Sequence, residues 1–421
     1  MNNITKHYNL IVVGGGLSGV ACAVSAAREN LKVLLLERSG CLGGAISNNL
    51  VYPFMSFWEY NEEKKSTELL SDGIFTEIRE TANSFEQAGN IADFKPDSIK
   101  RALDKMVVEA GVDVLFHTSV FGAKTKHNKV VSVQALTRSG VMTFTGDFFT
   151  DASGDGVLLE YTNCDYQKGR ESDGLCQPMT TCFRMSGVNL EKIKEEFPAV
   201  QEKYNRMREE GKLKNPRANI LMDFGIGDGV LHLNTTRVLG LDPTDAFDLS
   251  KAEIIGREQV YEMVDFLKNN SVAFKHATVV SIANEIGIRE SRKLKGMHIL
   301  TAEELKNTVY FEDTVALGNY HIDIHSPTGE GTTIYRFKKG ERYAIPYRSL
   351  VPKEYVNLLV AGRCLSATHE AHSAVRIMPI CACLGQAAGT AIAIAYHTKT
   401  DTHNVDIKKV RSKLIENGAK I

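Results

Sequence analysis

The chain has 421 residues, of which 43% are hydrophobic and 24% charged, and its net charge is −1. That length suits two domains better than one, and the balanced charge offers no field to gather nucleic acid or an anionic membrane surface. Eight cysteines are scattered without a CxxC spacing, which excludes a zinc ribbon and a bacterial ferredoxin-type cluster. No metal site is expected, and free thiols in a reducing cytoplasm are. The first apolar run, Leu10 to Val13, is too short for a signal peptide or a membrane span.

Asn9 to Val13 (NLIVV) reads as a buried parallel strand. Gly14-Gly15-Gly16-Leu17-Ser18-Gly19 follows, then an alanine-rich helix from Val20 to Glu29, then a second strand from Lys32 to Leu36 ending at Glu37. This is a βαβ unit with GxGxxG at its first turn. Gly14 permits the tight turn, Gly16 lets backbone approach a diphosphate, and Gly19 lets helix pack on strand. The helix N-terminus favours the phosphates. Glu37, 18 residues beyond Gly19, is placed to accept hydrogen bonds from ribose hydroxyls.

After Glu37 the chain continues Arg38-Ser39-Gly40-Cys41-Leu42-Gly43-Gly44-Ala45. A glycine pair here lets the chain run close to a long, extended cofactor, which simple nicotinamide dehydrogenases do not need. With it the sequence resembles the glutathione-reductase-type FAD flavoproteins. The resemblance implies a Rossmann-type, discontinuous α/β domain binding FAD, a parallel sheet plus β-meander, with an inserted α+β substrate domain. Strands are predicted at Val112–His117, Val130–Leu136 and Met142–Phe149, where the family has its meander and where backbone near Val120 would touch adenine. Ala152-Ser153-Gly154 stands at the family's Ala-Thr-Gly position. A further strand, Asn357 to Ala361, leads into Gly362-Arg363-Cys364. Pro379 is expected at the first position of a helix running from Ile380 to Tyr396, whose N-terminus, at Met378, would face the flavin. Arg363 replaces an acidic residue of many relatives and is assigned to the diphosphate instead.

Three segments are similar to one subfamily of FAD-dependent oxidoreductases, distantly like fumarate reductase flavoprotein subunits: Gly169–Val188, Gly287–Gly296 and Tyr343–Gly389. The expected layout is a cofactor domain at 1–156 and 341–400, a substrate domain at 157–340 and a helical tail at 401–421. In the insert, strands are predicted at Cys182–Met185, Ile220–Phe224, Val230–Asn234 and Ala277–Ala283. An amphipathic helix is expected over Leu249–Lys268, with Ile254, Val260, Val264 and Leu267 on its apolar face. The charged stretch Glu191–Lys214 reads as a solvated helix pair. Gly225 to Gly229 reads as a hairpin, not a second nucleotide site, so any NAD(P)H donor would visit transiently.

Catalytic candidates are cationic or titratable groups near the flavin. Arg289 and Arg292, expected one helical turn apart, could clamp a carboxylate or pair with Glu290 or Glu285. His369, His372 and Arg376 are expected in the loop before the flavin-facing helix, where a histidine can move a proton. Arg237 is a weaker candidate. The function expected is electron transfer between FAD and a small anionic or hydroxylated substrate. The alternative is a flavin-binding subunit or redox sensor without turnover, docking through Glu191–Lys214.

Overall fold

The computed structural model describes residues 5–61, 65–227, 229–329 and 331–421. Its largest sheet has seven strands. The first strand, Thr5–Val13, runs through the middle, and its Leu10, Ile11 and Val12 are fully buried, as an unbroken apolar run must be when both faces of a parallel sheet are covered. Val33–Leu36 pairs parallel on one side, with Asp113–Leu115 beyond it. On the other side Gly140–Asp151 runs parallel along the whole strand, from Thr5 opposite Thr143 to Val13 opposite Asp151.

The far edge of Gly140–Asp151 is shared. Its first half carries the antiparallel strand Lys129–Thr137, which pairs in turn with Ser119–Lys126. Its last residues take Leu358–Val360, parallel, from near the other end of the chain. Buried Asn357 closes this fork. Its amide donates to the carbonyls of Val130 and Asp147, each at 2.8 Å, and its side-chain oxygen accepts the Val130 N–H at 2.9 Å. The parallel sheet and meander are thus those expected, with one correction. The strand predicted at Val112–His117 is the edge of the parallel sheet, and the meander begins at Ser119–Lys126 instead. That strand is mostly half-buried or exposed and has no apolar run to announce it.

Helices Leu17–Arg28 and Met378–His397 cover one face of the sheet. They touch through backbone. A Cβ on Gly385 would lie inside the van der Waals radius of the Ser18 carbonyl oxygen, and one on Gly389 inside that of Cys22. Pro379 is the second helical residue rather than the first, Met378 preceding it; both positions lack an intrahelical acceptor for the N–H. The helix Met378–His397 is long and apolar enough to cross a membrane, but 89% of its apolar window is buried inside the fold.

A second sheet has four antiparallel strands, ordered Met222–Gly227, Val230–Leu233, Phe183–Ser186 and Thr278–Ile282. All four were predicted in the insert. The first two form the expected hairpin; Asp228 of its turn lies outside the described residues. Phe183, Met185, Leu231 and Leu233 pack with Val260, Met263 and Leu267 of the helix Ala246–Asn270. Ile254 of that helix is 59% exposed, contrary to the expected apolar face. The charged stretch is one helix, Leu190–Glu209, not a pair. Asn189 caps it by accepting the Lys192 N–H at 2.9 Å, and Pro198 sits inside it without ending it. Residues from the later part of the insert, among them Leu300, Val315 and Ile322, join the core under the helix Met378–His397.

Because the two glycines admit no side chain, Gly385→Ala should push the helices apart. The expected cost is ~1–3 kcal/mol, as for overpacked cores, or more because the obstacle is backbone. A shifted urea midpoint with unchanged slope measures it.

Candidate functional site

The GxGxxG turn sits where three stretches of chain meet. Gly14 has φ of 104°, and a Cβ there would lie 2.5 Å from the Ala152 carbonyl oxygen and 2.6 Å from Ser153 Cα. Gly362 approaches Ser18 closely enough that its Cβ would lie 3.0 Å from the serine Cβ. The glycine pair docks on the same turn. Gly43 N–H donates to the Gly15 carbonyl at 2.9 Å, and a Cβ on Gly44 would lie 3.1 Å from Gly16 Cα. Gly16 is different: nothing stands within 4 Å of where its Cβ would be.

Around that opening stand Leu17 and Ser18, the first residues of the helix, which has no acidic residue in its first turn. The Ser18 hydroxyl is buried with no partner among the described residues. Glu37 is buried too; it accepts the Gly15 N–H at 2.6 Å and the Ser39 N–H at 2.7 Å, one on each oxygen. A carboxylate has acceptor capacity beyond two bonds. Arg38 pairs with Glu285 through both guanidinium nitrogens. Ala45 accepts the Val51 N–H at 3.0 Å, closing the turn after the glycine pair. Val120 lies on the meander strand opposite Ala135, just beyond Thr118, whose N–H donates to the Glu37 carbonyl at 2.9 Å.

Ser153 does not offer its hydroxyl outward. It donates to Asp151 Oδ1 at 2.6 Å, and Asp151 also accepts the N–H of Leu158 at 2.7 Å, which anchors the turn that carries Gly154. Burial raises the Asp151 carboxyl, and these hydrogen bonds oppose the rise. Arg363 lies across Gly154 and donates to Asp155 Oδ1 at 2.7 Å, while its Nη1 is buried with no partner among the described residues.

Beside this turn lies a buried charged cluster. Glu290, wholly buried, pairs with Lys293, accepts the Gln177 N–H at 3.0 Å and stands 2.8 Å from His369 Nδ1. Burial alone would raise its carboxyl, but His369 beside it and the charge of Lys293 bring it down to about 2. His369 Nε2 has no partner among the described residues. The N–H at His372 Nε2 donates to the Arg363 carbonyl at 2.8 Å, and burial holds that imidazole neutral, well below its ordinary range. Both histidines lie on a short helix, His369–Val375, capped by Thr368, rather than in the expected loop.

Arg376 ends that helix. It donates to the Arg289 carbonyl at 2.9 Å and to Gln177 Oε1 at 3.1 Å. Arg289 donates to the Pro178 carbonyl at 2.8 Å and to the Thr180 hydroxyl. Its segment is not helical, so the turn of helix expected between Arg289 and Arg292 is absent. Arg292 begins a strand paired with Tyr166–Lys168 and forms an ion pair with Glu160 at 2.9 Å. Neither expected ion pair of Arg289 forms, since Glu285 goes to Arg38 and Glu290 to Lys293 and His369. Burial, then the charges of Arg217 and Arg376, pull the Arg289 guanidinium down to about 9.

Three partners were not foreseen. Arg217 is 5% exposed, and its Nε and Nη1 have no partner among the described residues. Arg237 donates to His325 Nδ1 at 2.9 Å, so the proton of that imidazole is on Nε2, which faces Asp323 Oδ2 at 3.2 Å. Burial, then Arg289, hold His325 neutral, at about 3. Asp323 and His325 alternate on one strand, IDIH, and that spacing was the available sequence signal.

The model of the family described as FAD dependent oxidoreductase matches residues 9–414. The chain belongs to the FAD-dependent oxidoreductase family. Over 58 residues it is 41% identical to glutathione reductase of Schizosaccharomyces pombe (strain 972), a match that takes in 14% of this chain and 12% of that relative's length. Among solved structures it is similar to a geranylgeranyl bacteriochlorophyll reductase-like protein from Thermoplasma acidophilum, with 13% identity, TM-score 0.49 and coverage of 99% of this chain and 85% of the other. It is also similar to a flavoprotein/dehydrogenase from Cytophaga hutchinsonii, with 12% identity, TM-score 0.49 and coverage of 97% and 82%.

The cofactor of this family fits the residues present. The vacant space at Gly16, the unpartnered Ser18 hydroxyl, the spare Arg363 donor and the buried Glu37 carboxylate surround one helix N-terminus, the chemistry that a diphosphate joined to a ribose requires. All eight cysteines are free, and burial pushes the thiols of Cys22, Cys176, Cys381 and Cys383 up to about 12, so none of these four is an activated thiolate. No group of metal ligands occurs among the described residues.

Two predictions separate binding from folding here. Gly16→Ala has an ordinary φ of −68° and free space, so the apoprotein should unfold within ~0.5 kcal/mol of wild type yet fail to retain FAD in its visible spectrum. Glu290→Gln should cost ~3–5 kcal/mol at neutral pH, because it leaves Lys293 buried without its counter-charge. The depressed carboxyl sets the sign: Glu290 stabilises fully above its ordinary value of 4.5, and that contribution fades as pH falls toward about 2. Denaturation midpoints of wild type and variant should therefore converge on acidification.

Proposed function

We propose that this oxidoreductase exchanges electrons between its flavin and a small anionic organic molecule held at Arg217, Arg289 and Arg376. One observation carries the reading: Arg217 keeps two buried guanidinium nitrogens without a partner among the described residues, beside a second buried arginine whose charge it already opposes. Like charges packed out of water are costly unless an anion joins them. Arg376 faces Asp323 first and Glu290 after it, and Lys293 and His369 already engage Glu290.

Bound FAD supplies the two-electron redox centre. The chain does the rest. Arg217 and Arg289 bind and orient the anion in a water-poor interior, where such contacts are strongest. Arg376 is a positioning residue, bracing the Arg289 carbonyl and Gln177. His369 carries or accepts a proton at Nε2, and Glu290 at its Nδ1 stabilises the charged ring as it forms. His372 fixes the Arg363 backbone beside the nucleotide turn.

The test uses photoreduced holoprotein, mixed anaerobically with oxidised carboxylic acids and with their neutral esters. Acids should reoxidise the flavin and esters should not. Arg289→Met should slow that reoxidation about 10–100-fold with the FAD spectrum intact, the worth of one charge-assisted hydrogen-bond pair. Equal reactivity of acids and esters, unaffected by the substitution, would sink the reading.

A further inference from the structure

The four-stranded sheet turns Phe183, Met185, Leu231 and Leu233 toward its own helices. Alternation along the strands therefore sends Arg184 and His232 to the opposite face. Across that face Asp223, His232, Arg184 and Ser281 stand in one row, on four neighbouring strands in direct register. Side chains so paired lie about 5 Å apart, so they form a single polar patch. The patch is pressed against the first core. The His232 ring is 5.6 Å from that of Tyr52, and the Tyr52 hydroxyl donates to Asp93 at 2.8 Å.

The row is not satisfied from within. His232 is fully buried, and neither ring nitrogen has a partner among the described residues. Arg184 leaves Nε and Nη2 buried in the same condition. Those two nitrogens form the side-on fork of a guanidinium, the edge that takes both oxygens of a carboxylate. Burial, then Arg184, hold His232 neutral, at about 3, so it presents one donor and one acceptor. Unmet buried groups of this kind are costly. They persist in folded proteins where something else supplies the bond.

The row also adjoins the arginine cluster. Cys182, two residues before Arg184, is fully buried and feels the charges of Arg289, Arg217 and Arg184 together. That interior therefore holds two arginines, Arg217 and Arg184, each with two buried guanidinium nitrogens that have no partner among the described residues. Resting on the reading of an anionic substrate, we propose that Arg184 and His232 hold a second anionic group of the same molecule. The substrate is then a small organic dianion that spans from Arg217 and Arg289 to Arg184 and His232.

The experiment is calorimetric titration of the holoprotein with acetate, malonate, succinate and glutarate, with the flavin spectrum followed alongside. At least one dicarboxylate should bind tenfold or more tightly than acetate, with an optimum in chain length. Arg184→Met should bring that dicarboxylate down to the affinity of acetate with FAD retained, while Arg217→Met should weaken acetate as well. Arg184→Lys keeps the charge but not the fork; it should lose the same advantage, and it serves if the methionine variant does not fold. A dicarboxylate advantage that is missing, or that survives both Arg184 variants, overturns the second anchor but leaves the Arg217 and Arg289 reading standing. Failure of every carboxylate to bind wild-type holoprotein removes both.

Discussion

The backbone contact between the helices Leu17–Arg28 and Met378–His397 is the constraint on which the rest of the structure depends. Gly385 lies on Ser18 and Gly389 on Cys22, one turn apart on each helix, so the two run in the same direction. Met378–His397 begins seven residues before Gly385 and Leu17–Arg28 one residue before Ser18. At 1.5 Å per residue its N-terminus stands about 9 Å further forward. Both positive helix ends thus open on the same side of the sheet, staggered, an arrangement suited to one ligand with negative charge at two separated places. Any side chain at Gly385 would spoil the register of the whole layer.

Electrostatics in the interior follow from what the helices and the second sheet enclose. Glu290 is matched by Lys293 and His369, and Asp323 stands 3.2 Å from the neutral His325 and faces the charge of Arg376. Arg217 and Arg184 each leave two buried nitrogens without a hydrogen-bond partner among the described residues. The contrast between satisfied and unsatisfied groups, more than the number of charges, locates where a ligand belongs.

The βαβ unit was legible in the sequence because its evidence is local. Strand, glycine turn, helix and Glu37 lie within about forty consecutive residues and each obeys a short-range rule. The four strands of the second sheet were legible for the same reason. Ser119–Lys126 was missed because a half-exposed, polar strand carries no period of its own. Arg289, His369 and His372 were marked, but the helical setting expected of Arg289 and the loop expected of the two histidines were misjudged; Arg376 lies in the turn before Met378–His397 as expected. Arg184, Arg217 and His232 were invisible, since what distinguishes them is burial without a partner, a property of the assembled fold alone.

The fork at Asn357 has a consequence for biosynthesis. Leu358–Val360 completes the sheet beside Asp151, and Gly389 completes the helix contact, so the nucleotide cradle cannot close until residue 389 has left the ribosome. The N-terminal βαβ unit must wait, partly exposed, through synthesis of more than three hundred residues, and such long-range closure is slow and prone to misassembly. Capture of the cofactor therefore waits on residues 357–389, and nascent chains stalled before residue 357 will be colourless.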